Sequence, residues 1–400
     1  TNVFRLLYFV SLPFVFMKKF TISLFLLLLI VVGGVYLLGY GYLLKAVRVV
    51  YATGHSTTFL DDYTYFDNRT ISPSTTPQAW ALTADYNQVA ETPELQNAHH
   101  KYGTVAFLII KGDSIWHERY FDNYNSQSKS NSFSMAKSYV SALLGRAITD
   151  GYIKSLDQPV SDFFPQYKEG LAAKLTVGDL SSMASGLDWD EAYYDPFSIT
   201  TRAYFDGHFR EKMLQLKITS EPGKAFKYLS GNTFLLGMVI EKATGKTLSD
   251  YLAEALWQPM GCESEALWQL DSEESGLEKA YCCIASNARD FARLGKLYRD
   301  HGKWNGKQLL DSAFVAKSVQ PRFADHPEYG YGWWLLDYKG IHFFMMRGHL
   351  GQYVIVNPTD KVIIVRLGHS LSDEAPEGST FPSDIYTYID EAYKMINGNL

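Results

Sequence analysis

A serine hydroxyl becomes a nucleophile near neutral pH only when a base takes its proton. A lysine can be that base only when burial or a second cation lowers its pKa. Ser134 and Lys137, in the stretch Ser132-Phe133-Ser134-Met135-Ala136-Lys137-Ser138-Tyr139-Val140, have the spacing for such a pair. Three residues is just under one helical turn, so the two side chains share a face and can share a hydrogen bond. The alternative makes Ser134 a helix N-cap and Lys137 a solvated side chain. The same quartet occurs a second time as Ser126-Gln127-Ser128-Lys129, in a run of Asn, Ser and Gln with no apolar periodicity behind it. That copy reads as loop surface.

Two further segments carry residue types that could serve the same chemistry. In Phe226-Lys227-Tyr228-Leu229-Ser230-Gly231-Asn232, Tyr228 precedes a helical run and could carry a proton if cations lowered its pKa from about 10. Equally, it could be a packing tyrosine, with Ser230 as an N-cap. In Gly348-His349-Leu350-Gly351-Gln352, Gly351 lacks the side chain that would block a ligand lying along a strand edge. His349, taken alone, is as well explained by a structural role.

These residues need elements to hold them. Behind Lys137, apolar residues at Tyr139, Val140, Leu143, Leu144 and Ala147 keep helical spacing down to a stop at Gly151. Before Ser134, the runs 104–110 and 114–121 around Lys111-Gly112-Asp113 predict a β-hairpin. Thr176-Val177-Gly178-Asp179 has the pattern of a capping box opening a short helix closed by Gly186. From there to about residue 325 the apolar spacing is helical, as at Phe291, Leu294 and Tyr298. Strand signals return at 331–336, 341–346, 352–356 and 361–365, and a helix is expected near 384–396. Strands thus flank a helical middle, which predicts an α+β fold. Its sheet is antiparallel, drawn from both chain ends and flanked by helices, and a helical subdomain (about 150–325) is inserted beside it.

A chain of 400 residues with 46% hydrophobic and 20% charged content is globular, and its net charge of −6 without a basic tract argues against nucleic acid as a partner. The three cysteines, Cys262, Cys282 and Cys283, fit no zinc spacing. They read as small buried hydrophobes, or as a bridge from Cys262 to one of the vicinal pair, since vicinal cysteines rarely join each other.

From Phe20 to Leu44 no charge appears, a run longer than the roughly 20 residues that cross a bilayer. Met17-Lys18-Lys19 looks like a natural start, with residues 1–16 an upstream extension and 17–45 an anchor or signal sequence. The run is long for a signal peptide and lacks a small-x-small cleavage site, which favours a single-pass anchor in the cell membrane. Lys45 and Arg48 on the far side leave the positive-inside count undecided. The body that follows is expected on the extracytoplasmic (periplasmic) side. Residues 46–84, rich in Thr, Ser, Asp, Asn and Pro, read as a linker wrapping onto a domain at 85–397.

Taken together, Ser-x-x-Lys, Tyr-x-Ser about 90 residues on, and His-x-Gly before a C-terminal strand resemble the serine β-lactamase/penicillin-binding-protein superfamily. The resemblance is to its class C-like esterase and amidase branch, including the 6-aminohexanoate-dimer hydrolases. It spans roughly 85–397 and extends to 176–187, 228–237, Asn287-Ala288-Arg289-Asp290-Phe291-Ala292 and Tyr329-Gly330-Tyr331-Gly332-Trp333-Trp334. It implies a β-lactamase-like fold and hydrolysis of a small-molecule or peptide-like amide or ester, with no metal or organic cofactor. It also implies an acylated Ser134, Lys137 sharing its proton, and Tyr228 as general base and then acid. The oxyanion hole falls to the backbone N–H groups of Ser134 and Gln352. Ser230 stands where class C β-lactamases carry Asn, and His349 where antibiotic-hydrolysing enzymes carry Lys. Both departures favour an esterase, amidase or peptidase over a true β-lactamase. The loop Trp189–Pro196 is expected to line the cleft. The rival implied by the same fold is a penicillin-binding sensor that acylates and stalls, or does not react.

Overall fold

The computed structural model describes residues 3–398, with side chains from Met17 onward, and divides into two units, Thr1–Ser56 and Thr57–Leu400. The side chains of the upstream extension, residues 1–16, lie outside the described residues.

The first unit is helical, Val3–Leu37 followed by Gly41–Val49. Its Met17–Leu37 stretch of 21 residues is long and apolar enough to cross a membrane, and none of it is buried. Leucines and isoleucines lie on every side of this helix. An apolar surface on all sides is what crossing a bilayer requires of a helix.

The second unit is built on a seven-stranded sheet. In spatial order its strands are Trp334–Tyr338, Ile341–Gly348, Gln352–Asn357, Val362–Gly368, Thr104–Lys111, Ser114–Tyr120 and Ala81–Leu82. Neighbours are antiparallel except the last pair, and the two chain ends meet where Ile364 pairs with Ile109. Alternate residues feed opposite faces. Phe107, Ile109, Phe343, Met345, Tyr353, Ile355 and Ile364 pack with Leu95, Ile385, Tyr388 and Ile389 of the helices Pro93–Lys101 and Ser383–Asn397. On the other face Val354, Val356 and Ile363 meet the helix Ala288–Arg299 at Gly295, where a Cβ would come within 2.9 Å of Val354. Because both faces are covered, the strands read as nearly continuous apolar runs.

The architecture is the expected α+β one, with some corrections. The middle segment is not purely helical: a four-stranded sheet runs Asn68–Ile71, Ala266–Gln269, Ile284–Ser286 and Ser130–Asn131. Strands of two to four residues carry too little periodicity to be seen in a sequence. Residues 57–84, part of the segment read as a linker wrapping onto the domain, fall in the larger unit and supply one strand to the four-stranded sheet and one to the seven-stranded sheet. The capping box forms as expected, Thr176 and Asp179 each bonding the other's backbone N–H, and opens the helix Val177–Ser181.

Candidate active site

Ser134 sits in a 3-10 turn, Phe133–Met135, that leads directly into the helix Ala136–Thr149. The turn is fastened from several sides. The Phe133 N–H donates to Asn131 Oδ1 (2.9 Å), the Ile284 N–H to Ser132 Oγ (3.0 Å), and the Cys283 N–H to the Phe133 carbonyl (3.3 Å). Phe133 itself takes a left-handed φ of 45°. A bulky residue holds that backbone conformation only when its surroundings fix it, and such positions cluster at functional sites.

The helix buries Lys137 and points it back at the serine. Lys137 Nζ donates to Ser134 Oγ (3.0 Å), Ser230 Oγ (3.1 Å) and the Tyr281 carbonyl (2.8 Å), and the residue is 2% exposed. Burial pulls its ammonium down to about 8, with the charge of Glu191 acting in the other direction. An ordinary lysine is almost wholly protonated at neutral pH, whereas this one supplies a usable fraction of neutral amine.

Tyr228 lies at the end of the segment before the helix Ser230–Thr244. Its ring is 5.1 Å from Lys137 Nζ and packs against Tyr329 and Trp334. The residue is half-buried, and its phenol is walled in by protein. Burial drives the phenol above the ordinary tyrosine value and Glu191 adds to the rise, while a hydrogen bond with Ser134 and the Arg347 charge oppose it. The cations that would make a resting phenolate do not prevail. Tyr228 therefore rests as a neutral phenol, the protonated form of the base-then-acid pair that the resemblance implies.

Ser230 is the first residue of its helix rather than an N-cap. Its side chain accepts from Lys137 and donates to Glu191 Oε1 (2.6 Å), and its N–H donates to Glu191 Oε2 (2.7 Å). Glu191 also accepts from the Tyr193 hydroxyl (2.5 Å), and the Tyr193 ring stacks on His349 at 6.0 Å. The loop 189–196 therefore does line the cleft, through Tyr193, and its Glu191 carboxylate, which sequence reasoning did not single out, binds Ser230. The signal was an acidic residue in a loop between two motif segments, which by itself is indistinguishable from solvated surface.

His349 faces the Phe133 ring at 5.5 Å, and burial lowers its imidazole to about 4, so it stays neutral across the physiological range. The approach is possible because Gly348 lies against Ser132, where a Cβ would fall 2.2 Å from the Ser132 carbonyl oxygen. Gly351 has a different explanation from the one its sequence position suggested. The space beside it is filled by Arg366, whose Nη1 would lie 2.2 Å from a Cβ, and its φ is 80°. It clears room for a buried guanidinium that donates to the Leu350, Gly351 and Ser370 carbonyls, not for a ligand. The Gln352 side chain is likewise committed, donating to the His349 and Gly368 carbonyls and accepting from the Gly368 N–H. The Gln352 backbone stands at the head of its strand, opposite Gly348.

The cleft in front of Ser134 spans about 530 Å³, counting space open to solvent, and is walled by Thr57, Phe133, Tyr193, Thr200, Tyr204, Phe205, Ser230, Tyr281, Cys282 and His349. Among the described residues that line it, none is an arginine or a lysine. The described residues also contain no cluster of three metal-ligating side chains. Cys262 is free and buried, as a small core residue would be, whereas Cys282 and Cys283 are joined to each other, which corrects the expected bridge from Cys262 and the reading of the vicinal pair as unbridged. Cys283 takes a left-handed φ of 76° at this bridge.

A family model described as Beta-lactamase matches residues 88–384. The 6-aminohexanoate-dimer hydrolase of Paenarthrobacter ureafaciens is 26% identical over 234 residues, covering 56% of this chain. The chain spans 59% of that relative's length. Among solved structures, the penicillin-binding protein homologue from Pyrococcus abyssi superposes with a TM-score of 0.60 at 18% identity, covering 76% of each chain. The D-amino acid amidase from Ochrobactrum anthropi SV3 superposes with a TM-score of 0.58 at 17% identity, covering 76% of this chain and 99% of its own. At these identities the superpositions establish the β-lactamase/transpeptidase-like fold.

Proposed function

Since the chain belongs to the Beta-lactamase family and is on that ground a serine hydrolase, we propose that it cleaves an amide or ester through an acyl-enzyme. Ser134 is the nucleophile, Lys137 the base and Tyr228 the proton donor to the leaving atom. The observation that carries this reading is the Lys137 amine, buried, 3.0 Å from the Ser134 oxygen and titrating near 8.

Lys137 takes the Ser134 proton as the oxygen bonds to the acyl carbon. The backbone N–H groups of Ser134 and Gln352 receive the developing oxyanion, a contribution worth about 3 kcal/mol per donor. The fastened turn at Phe133 and the pinned Gln352 side chain support that assignment, because both hold their backbones still before substrate arrives. As the tetrahedral carbon collapses, Tyr228 protonates the departing nitrogen or oxygen and is reprotonated from the Lys137 ammonium. Water then repeats the sequence against the acyl-serine and frees Ser134.

Substrate class follows from the walls. Ser230 and His349 line the mouth, a neutral imidazole stands where a lysine would draw a carboxylate, and Glu191 adds negative charge. The fitting substrate is a small-molecule or peptide-like amide or ester whose acyl part is uncharged or cationic. The 17–45 segment anchors the chain in the bilayer with the hydrolase body outside the cytoplasm, a placement supported by the disulfide, since such bonds persist in oxidising compartments.

Intact-protein mass after a brief fluorophosphonate or β-lactam pulse tests the reading. A hydrolase shows one fluorophosphonate adduct on Ser134 and a β-lactam adduct that clears with time. A permanent β-lactam adduct identifies the stalled sensor, and absence of any adduct refutes the nucleophile. Turnover of neutral p-nitrophenyl esters should exceed that of anionic ones of the same length.

A further inference from the structure

Tyr281, Cys282 and Cys283 lie between two anchors of the catalytic pair. The Tyr281 carbonyl accepts from Lys137 Nζ at 2.8 Å, and the Cys283 N–H donates to the carbonyl of Phe133, the residue immediately before the nucleophile. Between these two points the chain is closed by the bond from Cys282 to Cys283. A bridge between adjacent residues makes a ring of eight atoms that includes their shared peptide, so the backbone there loses nearly all torsional freedom. Cys282 also forms part of the cleft wall, and its carbonyl is held by Trp268 Nε1 at 3.1 Å. The segment is buried, and Trp268 ties it to the strand Ala266–Gln269.

We propose that the Cys282–Cys283 disulfide is a positioning element of the active site. It locks the peptide that hangs Lys137 on one side and the Ser134 turn on the other, and presents an apolar sulfur surface to the acyl group. This rests on the serine hydrolase reading above. It makes activity conditional on an oxidised pair. A dithiol supplies two electrons and two protons, the S–S bond breaks, Cys282 and Cys283 become thiols, and the reductant closes to its own cyclic disulfide. Freed of the ring, Tyr281 and Cys283 can move independently. Misplacement of reacting groups by about 1 Å can cost a hundredfold in rate. If the Tyr281 carbonyl withdraws, the Lys137 ammonium loses an acceptor and becomes easier to deprotonate.

The test uses the full-length protein purified in detergent. Alkylation of the denatured, unreduced chain should modify one cysteine, Cys262, and after dithiothreitol three. Three modified without reduction overturns the proposal. On the native enzyme, dithiothreitol that raises the mass by two hydrogens should lower kcat on a p-nitrophenyl ester about tenfold or more and move the ascending limb of the pH profile to lower pH. Reoxidation should restore both. A merely structural bridge would change thermal stability without moving that limb. A reduced enzyme with unaltered kcat and pH profile overturns the proposal. The Cys282→Ala/Cys283→Ala variant should resemble the reduced enzyme and ignore dithiothreitol, while Cys262→Ala should keep the oxidised activity and the sensitivity. A wild-type chain inert to ester and fluorophosphonate would instead overturn the hydrolase reading, and the alkylation count would still report the bridge.

Discussion

Two Ser-x-x-Lys quartets stand close together in this chain, and they differ in everything except their letters. Ser126 and Lys129 lie in an irregular, turn-rich segment, where Lys129 reaches across the surface to Glu265 at 3.2 Å. Ser134 and Lys137 straddle the entry to a buried helix, and the lysine is left with two hydroxyls and a carbonyl rather than a carboxylate. Salt-bridged near the surface, a lysine is a cation and little else. Buried among neutral acceptors, its ammonium is pulled down to about 8, so that neutral amine is present near neutral pH. What separates the two lysines is desolvation, supplied by the buried helix Ala136–Thr149.

The strongest way to break this comparison is at the nucleophile. Ser134→Ala should abolish turnover of p-nitrophenyl esters, and Ser126→Ala should leave it unchanged. Equal activity in the two variants would end the assignment. At the base, Lys137→Met should lower kcat/KM about a hundredfold to ten-thousandfold, as expected for loss of general base catalysis, while Lys129→Met should stay within about twofold.

The same pair of variants carries a stability signature of opposite sign. The folded-state pKa of Lys137, about 8, lies below its ordinary 10.5, so the unfolded chain binds more protons between those values. Wild-type stability therefore rises as pH climbs from 8 to 10.5, and below 8 the buried charge is a cost. Lys137→Met should raise Tm at pH 7, and the advantage should shrink as pH passes through 8 to 10. Lys129→Met should show neither effect in a thermal melt.

Smaller effects sharpen the roles around the pair. Tyr228→Phe should slow amide hydrolysis about a hundredfold and activated esters much less, because p-nitrophenolate leaves without a proton. Equal losses on both substrates would assign Tyr228 to attack rather than departure. Glu191→Gln should cost only a few-fold in kcat. Because the Glu191 charge holds the Lys137 pKa up, its removal should move the ascending limb of the rate profile below pH 8. A limb that stays in place would mean that Glu191 acts only through Ser230.

Much of this was legible in the order of residues. The strand runs near both ends, the helix behind Ser134, the Thr176–Asp179 capping box and the three motif segments all leave periodic or local signatures that survive without neighbours. Glu191 left none, since its importance lies in accepting from Ser230, 39 residues away. Gly351 left a misleading one: its missing side chain makes room for Arg366, a partner from the next strand. The short strands Ala266–Gln269 and Ile284–Ser286 escaped because their pairing is entirely non-local.

By itself, then, the sequence determined which residue types could do chemistry and in what local frames. A hydroxyl and an amine one helical turn apart, an apolar stripe behind them and an uncharged N-terminal run follow from covalent spacing alone. Only the tertiary structure decided which serine meets a buried lysine, that burial brings this lysine down to about 8 and pushes the Tyr228 phenol up, and that Cys282 bonds to Cys283. Those are properties of solvent exclusion and of contacts between distant segments. The energy of a charge depends on what surrounds it, and a linear chain does not specify its surroundings until it folds.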